Sequence, residues 1–180
     1  MRIISYDPAE AVTFVRTAPL PGWPPPEAAA HADPHGLLSS GLRQWFEVNV
    51  RQPDRRWPLG LPSVAVRRAW AAMAESAEYD AFCQRAYGRD LPVQDRPARM
   101  PRTWEAACRA ERIDARRPTH LPVLFLVDQT LRVPGGYRYT SRCSGRVCRV
   151  ESPEVCARHA FAPPRFWSFY RDDATIPRPS

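Results

Sequence analysis

Three cysteines and a histidine crowd one short stretch of the chain: Cys143, Cys148, Cys156 and His159. Zinc takes four tetrahedral thiolate or imidazole donors, commonly from two close pairs, and here the pairs are Cys143-x4-Cys148 and Cys156-x2-His159. Ser144-Gly145 supplies the turn of a ligand knuckle. Ser152, Pro153 and Glu154 read as an N-cap, a first-turn proline and an acid matched to the helix dipole, so a short seventh helix is expected to present Cys156 and His159 one turn apart. With all four positions filled, such zinc is a folding staple and leaves no open coordination position. The alternatives are reduced, ligand-free thiols or a single disulfide.

The other residues capable of chemistry read differently. Cys83 and Cys108 fall on the apolar faces of expected helices, where a thiol behaves as a small hydrophobe, because a nucleophile needs partial exposure and a positive environment. His31 and His35 lie in a proline- and alanine-rich connector and read as exposed loop histidines. His120, just before Leu121-Pro122, reads as a helix-start residue rather than a general base. Asp80 with Arg85, Glu105 with Arg109, and Asp128 read as surface charges. No Ser/His/Asp spacing and no glycine-rich phosphate cradle occurs, so the sequence nominates no active site and leaves open whether the chain is an enzyme.

The elements that must position these residues are helical. Asp7-Pro8 opens a first helix, with Ala11, Phe14, Val15 and Ala18 at helical spacing, and Pro19 and Pro21 end it. Residues 19–35 form a proline- and alanine-rich connector, in which the arm from Pro19 to Pro26, with Trp23, is expected to dock on the helical body or on a partner. Ser39 or Ser40 can cap a second helix with Leu42, Trp45, Phe46 and Val50 on one stripe. A third starts near Ser63 and aligns Val66, Ala69, Trp70 and Met73. A fourth, with Ser76 as its expected cap, aligns Tyr79, Phe82, Cys83, Ala86 and Tyr87 and stops at Gly88, a left-handed C-terminal cap. A fifth begins near Arg102 with Trp104, Ala107 and Cys108 inward. Residues 121–131 are apolar nearly all round and read as a buried helix terminated by Pro134-Gly135-Gly136. No β-type alternation of useful length is present.

The predicted fold class is therefore all-α: a compact bundle of about six to seven short helices, with a proline-rich N-terminal arm and an irregular cysteine-containing C-terminal segment. The 180 residues suit one domain, divided into a first helix and arm (1–38), a helical core (39–139) and a cysteine-rich segment (140–180). A hydrophobic content of 44% with six tryptophans excludes a disordered chain. The longest apolar run, residues 121–127, falls far short of the roughly 20 residues of a membrane span. Nothing at the N-terminus resembles a signal peptide, and the odd number of cysteines, five, fits a reducing cytoplasm. All 26 basic residues are arginine, giving a net charge of +7. With abundant alanine and proline this is the composition a GC-rich coding sequence imposes, and the arginines are scattered in ones and twos, which argues against specific nucleic-acid binding.

The string Leu-Pro-Ser-Val-Ala-Val-Arg-Arg-Ala-Trp ending at Trp70, then Tyr79, Phe82-Cys83 and Ala86-Tyr87-Gly88-Arg89, is similar to the bacterial relatives of glycine-rich domain-containing proteins. The later Leu121-Pro122-Val123-Leu124-Phe125, Asp128 and Pro134-Gly135-Gly136-Tyr137-Arg138-Tyr139 resemble the same family's downstream segment. The resemblance spans about residues 42–139 and implies a helical fold. Family members carry a histidine directly after the third-helix tryptophan and a histidine pair shortly after the fourth-helix glycine. Here those places hold Ala71 and Pro92-Val93, so no metal or catalytic role carries over. The positions retained are packing positions. A helical accessory or protein-binding module is therefore the expected function, with a metal- or thiol-dependent enzyme and a basic nucleic-acid binder as the alternatives.

Overall fold

A computed structural model describes residues 7–26, 28, 33, 35–52, 58–89, 100–141 and 155–156. Six helices are defined among them: α1 (Pro8–Thr17), α2 (Leu37–Arg51), α3 (Val64–Ala74), α4 (Tyr79–Tyr87), α5 (Met100–Ala110) and α6 (Val123–Thr130). The fold is all-α, as the periodicities predict. α2 is the axis of the bundle, with α1, α3, α5 and α6 all packed against it, α4 leaning on α1 and α3, and α6 also touching α3.

That central place follows from the sequence of α2. Leu42, Trp45, Phe46, Val48 and Val50 are all buried, so the helix is apolar around most of its circumference and must be surrounded. Gly41 marks the closest approach. A Cβ there would lie 2.6 Å from Val127 Cγ2 and 3.2 Å from Val66 Cγ2, so the missing side chain lets α6 and α3 come up to α2. Rings fill the interior on both sides: Trp45 packs on Trp70 with centroids 4.2 Å apart, Phe46 meets Phe82 at 5.2 Å, and Trp104 meets Phe125 edge-on at 5.1 Å. Trp70 and Phe82 are core residues of α3 and α4, although Trp70 stacks on α2 and Phe82 stands between Phe14 of α1 and Phe46 of α2, 5.2 Å from each. Trp70 reaches α4 through its indole N–H, which donates to Tyr79 Oη at 2.7 Å.

The arm after α1 docks on this body. Leu20, Pro21 and Pro25 are buried, and Trp23 is half-buried against the core.

Helix starts depart from the sequence reading in two places. α2 begins at Leu37, ahead of Ser39 and Ser40, because Gly36 turns the chain left-handed and the Asp33 carboxylate accepts from Leu37 N and Leu38 N, both at 2.7 Å. α4 begins at Tyr79 behind Glu78, with no side-chain cap, and Ser76 sits in the preceding turn. The fourth helix does stop at Gly88, at φ 67°.

Two strands of two residues each are also present, beyond the helical expectation. β1 (Tyr139–Thr140) and β2 (Val155–Cys156) pair in parallel, with Thr140 opposite Cys156. Cys156 therefore stands in an extended strand, and the expected helical turn carrying it does not form there. Backbone pairing with β1 outweighs the cap-like signal of the preceding residues.

Candidate functional site

The most densely connected polar group in the described core is Asp128, on α6. In place of the surface charge expected there, Asp128 is buried, with 3% of its area exposed. Oδ1 accepts from Ser63 Oγ at 2.6 Å and Ala65 N at 3.1 Å, while Oδ2 accepts from Val64 N at 2.8 Å and Tyr137 N at 2.9 Å. Ser63 is the N-cap of α3, and its Oγ also accepts from Val66 N at 3.1 Å. The first three amides of α3 thus meet one carboxylate and one hydroxyl, which answers both their unsatisfied donors and the positive end of the helix dipole. Gly136 makes room for this, since a Cβ there would stand 2.8 Å from Asp128 Cβ.

α6 is started by the same device. Glu111 Oε1 accepts from Val123 N at 2.7 Å and from Gln44 Nε2, and Gln44 Oε1 accepts from Leu124 N at 2.7 Å. His120 stands beside this cap, exposed, with Nε2 4.0 Å from Glu111 Oε2 and Nδ1 2.9 Å from Thr119 Oγ1. A second buried carboxylate, Glu47 on α2, receives Arg16 of α1 as a two-pronged fork (2.7 Å for each contact) and Arg51 at 2.9 Å. The fork holds the Arg16 guanidinium more firmly protonated than usual. Two further buried polar side chains are engaged: Asn49 joins Trp45 O to Leu59 N, and Thr103 Oγ1 donates to Gly60 O.

The other sequence candidates distribute as follows. Cys83 and Cys108 are fully buried thiols that form no disulfide, as expected of structural thiols. Burial, with Glu111, Asp114 and Glu105 adding to it, pushes the Cys108 thiol up to about 12, so it is not a nucleophile at neutral pH. Arg85 is exposed and lies over the Phe14 ring at 4.7 Å. His35 is exposed. Cys143, Cys148, His159 and His31 lie outside the described residues, and Cys156 is placed only through its β-pairing. No group of three or more potential metal ligands occurs among the described residues.

These features define a small helical scaffold whose internal polar groups hold helix ends. The chain belongs to the UCP032817-like family, which residues 27–160 match. The match takes in α2–α6 and both strands, leaves α1 outside it, and carries a description that names no reaction. No curated protein and no solved structure matches the chain.

Proposed function

We propose that this chain is a single-domain helical accessory module that acts in the cytoplasm by binding a protein partner. The observation that carries the reading is the use made of its buried polar groups: Asp128, Glu47, Asn49, Ser63 and Thr103 all bond to backbone or to another side chain of the scaffold. Groups committed in this way orient helices and leave function to the outer surface. The resemblance of residues 42–139 to bacterial glycine-rich domain-containing proteins supports the same reading, because Trp70, Tyr79, Phe82 and Tyr87 are buried core side chains. No helix among the described residues is long and apolar enough to cross a membrane.

The test is purification of the tagged chain from its native host, followed by reconstitution with the purified candidate partner. A stoichiometric complex that re-forms from the two pure components is expected. A chain recovered alone, with no complex on reconstitution, overturns the reading.

A structural zinc held by Cys143, Cys148, Cys156 and His159 is a second reading, favoured by the β pairing. Thr140 lies opposite Cys156, and Cys143 follows Thr140 by three residues, a chain reach of at most about 11 Å. Metal analysis of protein expressed with zinc present tests it. One equivalent is expected, and an unchanged metal content in a Cys143→Ser, Cys156→Ser double variant overturns it.

A further inference from the structure

Every other helix among the described residues contributes at least one buried ring to the core; α1 contributes none. It packs on α2 and α4 and buries three small aliphatic side chains, Ala11, Val12 and Val15. Its one ring, Phe14, is half-buried, 5.2 Å from Phe82 of α4, with the exposed Arg85 4.7 Å from its centroid. The helix also carries its own start, since the Asp7 carboxylate accepts from Ala9 N at 2.8 Å and Pro8 is its first residue. At its other end Ala18 is extended, and the arm beyond has separate anchors in the buried Leu20, Pro21 and Pro25. α1 can therefore part from α2 and α4 as far as Ala18 while the arm stays docked.

The polar half of the joint is arranged so that parting strands no charge. Removing one partner of a buried ion pair ordinarily leaves the other uncompensated. Here Glu47, 6% exposed, accepts from two arginines at once: Arg16 of α1 and Arg51 on its own helix, both about half in water. When α1 leaves, Arg51 still holds the carboxylate through Oε1. Arg43 is half-buried and donates to Val15 O and Ala18 O, carbonyls at the C-terminal end of α1, and on parting both sides of that contact meet water. Asp128 is the opposite case, because its amide partners belong to the fixed body. The family match begins at residue 27, so the seat on α2 and α4 lies inside it and α1 lies outside.

We propose that the seat of α1, formed by Arg43 and Glu47 of α2 and Phe82 of α4, is the partner-binding surface, and that α1 is a latch which a partner's amphipathic helix replaces. The inference rests on the protein-binding reading above and names the partner's chemistry. α1 itself shows what fits a helix-binding groove of this kind. The occupant presents small aliphatic side chains at the spacing of Ala11, Val12 and Val15, an arginine beside them to fork Glu47, and a helix end whose open carbonyls meet Arg43. Guanidinium forks match a carboxylate two bonds at a time, so a lysine in place of that arginine fits less well. An acidic helix would set its carboxylates against Glu47. A helix of ten residues is marginal alone in water, so α1 holds its shape only while seated and yields to a longer helix with the same face.

Two measurements on the full chain test this. In native-state hydrogen exchange of the wild type, the amides of residues 12–17 are expected to exchange at least about a hundredfold faster than those of residues 45–50, because α1 opens alone. Equal protection of the two helices would mean that α1 leaves only with global unfolding, and overturns the proposal. The second measurement uses a labelled peptide with the sequence of residues 7–18. Arg16→Glu in the chain sets an acid against Glu47 and leaves every residue of the seat in place. This variant is expected to bind the peptide at least about tenfold more tightly than wild type, whose own α1 competes. A peptide carrying the same Arg16→Glu change is expected to bind at least about tenfold more weakly. Equal binding of the two peptides, no binding by the variant chain, or loss of the variant's cooperative melt overturns the proposal. A reconstituted host partner with equal affinity for variant and wild type overturns the latch alone and leaves the module reading standing.

Discussion

Ser63 and Asp128, 65 residues apart in sequence, form a single cap: the serine hydroxyl donates to Asp128 Oδ1 at 2.6 Å while accepting from Val66 N. Replacing Asp128 by alanine strands one hydroxyl and three amides in a buried site. Unfolding in urea is expected to show a loss of about 3 kcal/mol or more. Asp128→Asn keeps one acceptor oxygen but turns an NH2 toward amide donors, so it is expected to lose more than about 1 kcal/mol. Equal stability of wild type and Asp128→Ala would mean that these bonds contribute nothing net.

Trp70 and Phe82 are 2% and 5% exposed, and each packs on a ring of the central helix, Trp45 or Phe46. Truncating either to alanine opens a cavity that these rigid neighbours cannot close, and urea melts are expected to show losses of about 3–5 kcal/mol. Shifts below about 1 kcal/mol in both variants would place these side chains outside the core.

At Gly41 two effects oppose. Alanine in mid-helix gains about 1 kcal/mol of helix propensity over glycine. The added methyl, however, would stand 2.6 Å from Val127 Cγ2 and 3.2 Å from Val66 Cγ2, and both of those side chains are fully buried. Overpacking typically costs about 1–3 kcal/mol, so Gly41→Ala is expected to be net destabilising, read as a lower melting temperature.

Cys108 gives a pH dependence. Its thiol is raised from an ordinary value of 9.0 to about 12 by burial and the neighbouring acids. The unfolded chain therefore releases this proton first, so the stabilisation is complete below about pH 9 and is lost as pH rises toward about 12. Cys108→Ala is expected to flatten the alkaline limb of the stability profile. In a variant with Cys143, Cys148 and Cys156 changed to serine, the two remaining thiols should resist a disulfide reagent at pH 8 until denaturant is added.

The helices were legible where one face tells the whole story. In α4 the spacing of Tyr79, Phe82, Cys83, Ala86 and Tyr87 marks the buried face, and Gly88 marks the stop. Tertiary caps were not legible, because their partners lie far off in sequence. Asp128 meets residues 63–65 and 137, Glu111 and Gln44 meet residues 123 and 124, and Glu47 meets Arg16. For Asp128 one signal was present: its one-turn neighbours Leu124, Phe125 and Leu131 are all apolar, so the acid sits on an apolar face of the helix. A local cap signal also misled at Cys156, where pairing with Thr140 draws the chain into a strand.

α1 and α2 exchange arginines. Arg16 reaches across to Glu47, and Arg43 reaches back to Val15 O and Ala18 O at 2.9 Å each. The two contacts on α2 are four residues apart, about 6 Å along its axis. Small apolar side chains such as Ala11, Val12 and Val15 would tolerate a slip of one turn with modest loss, whereas a paired charge and two filled carbonyls would not. The joint therefore works like a key with two teeth, admitting α1 in a single register and orientation whatever the apolar contacts alone would permit.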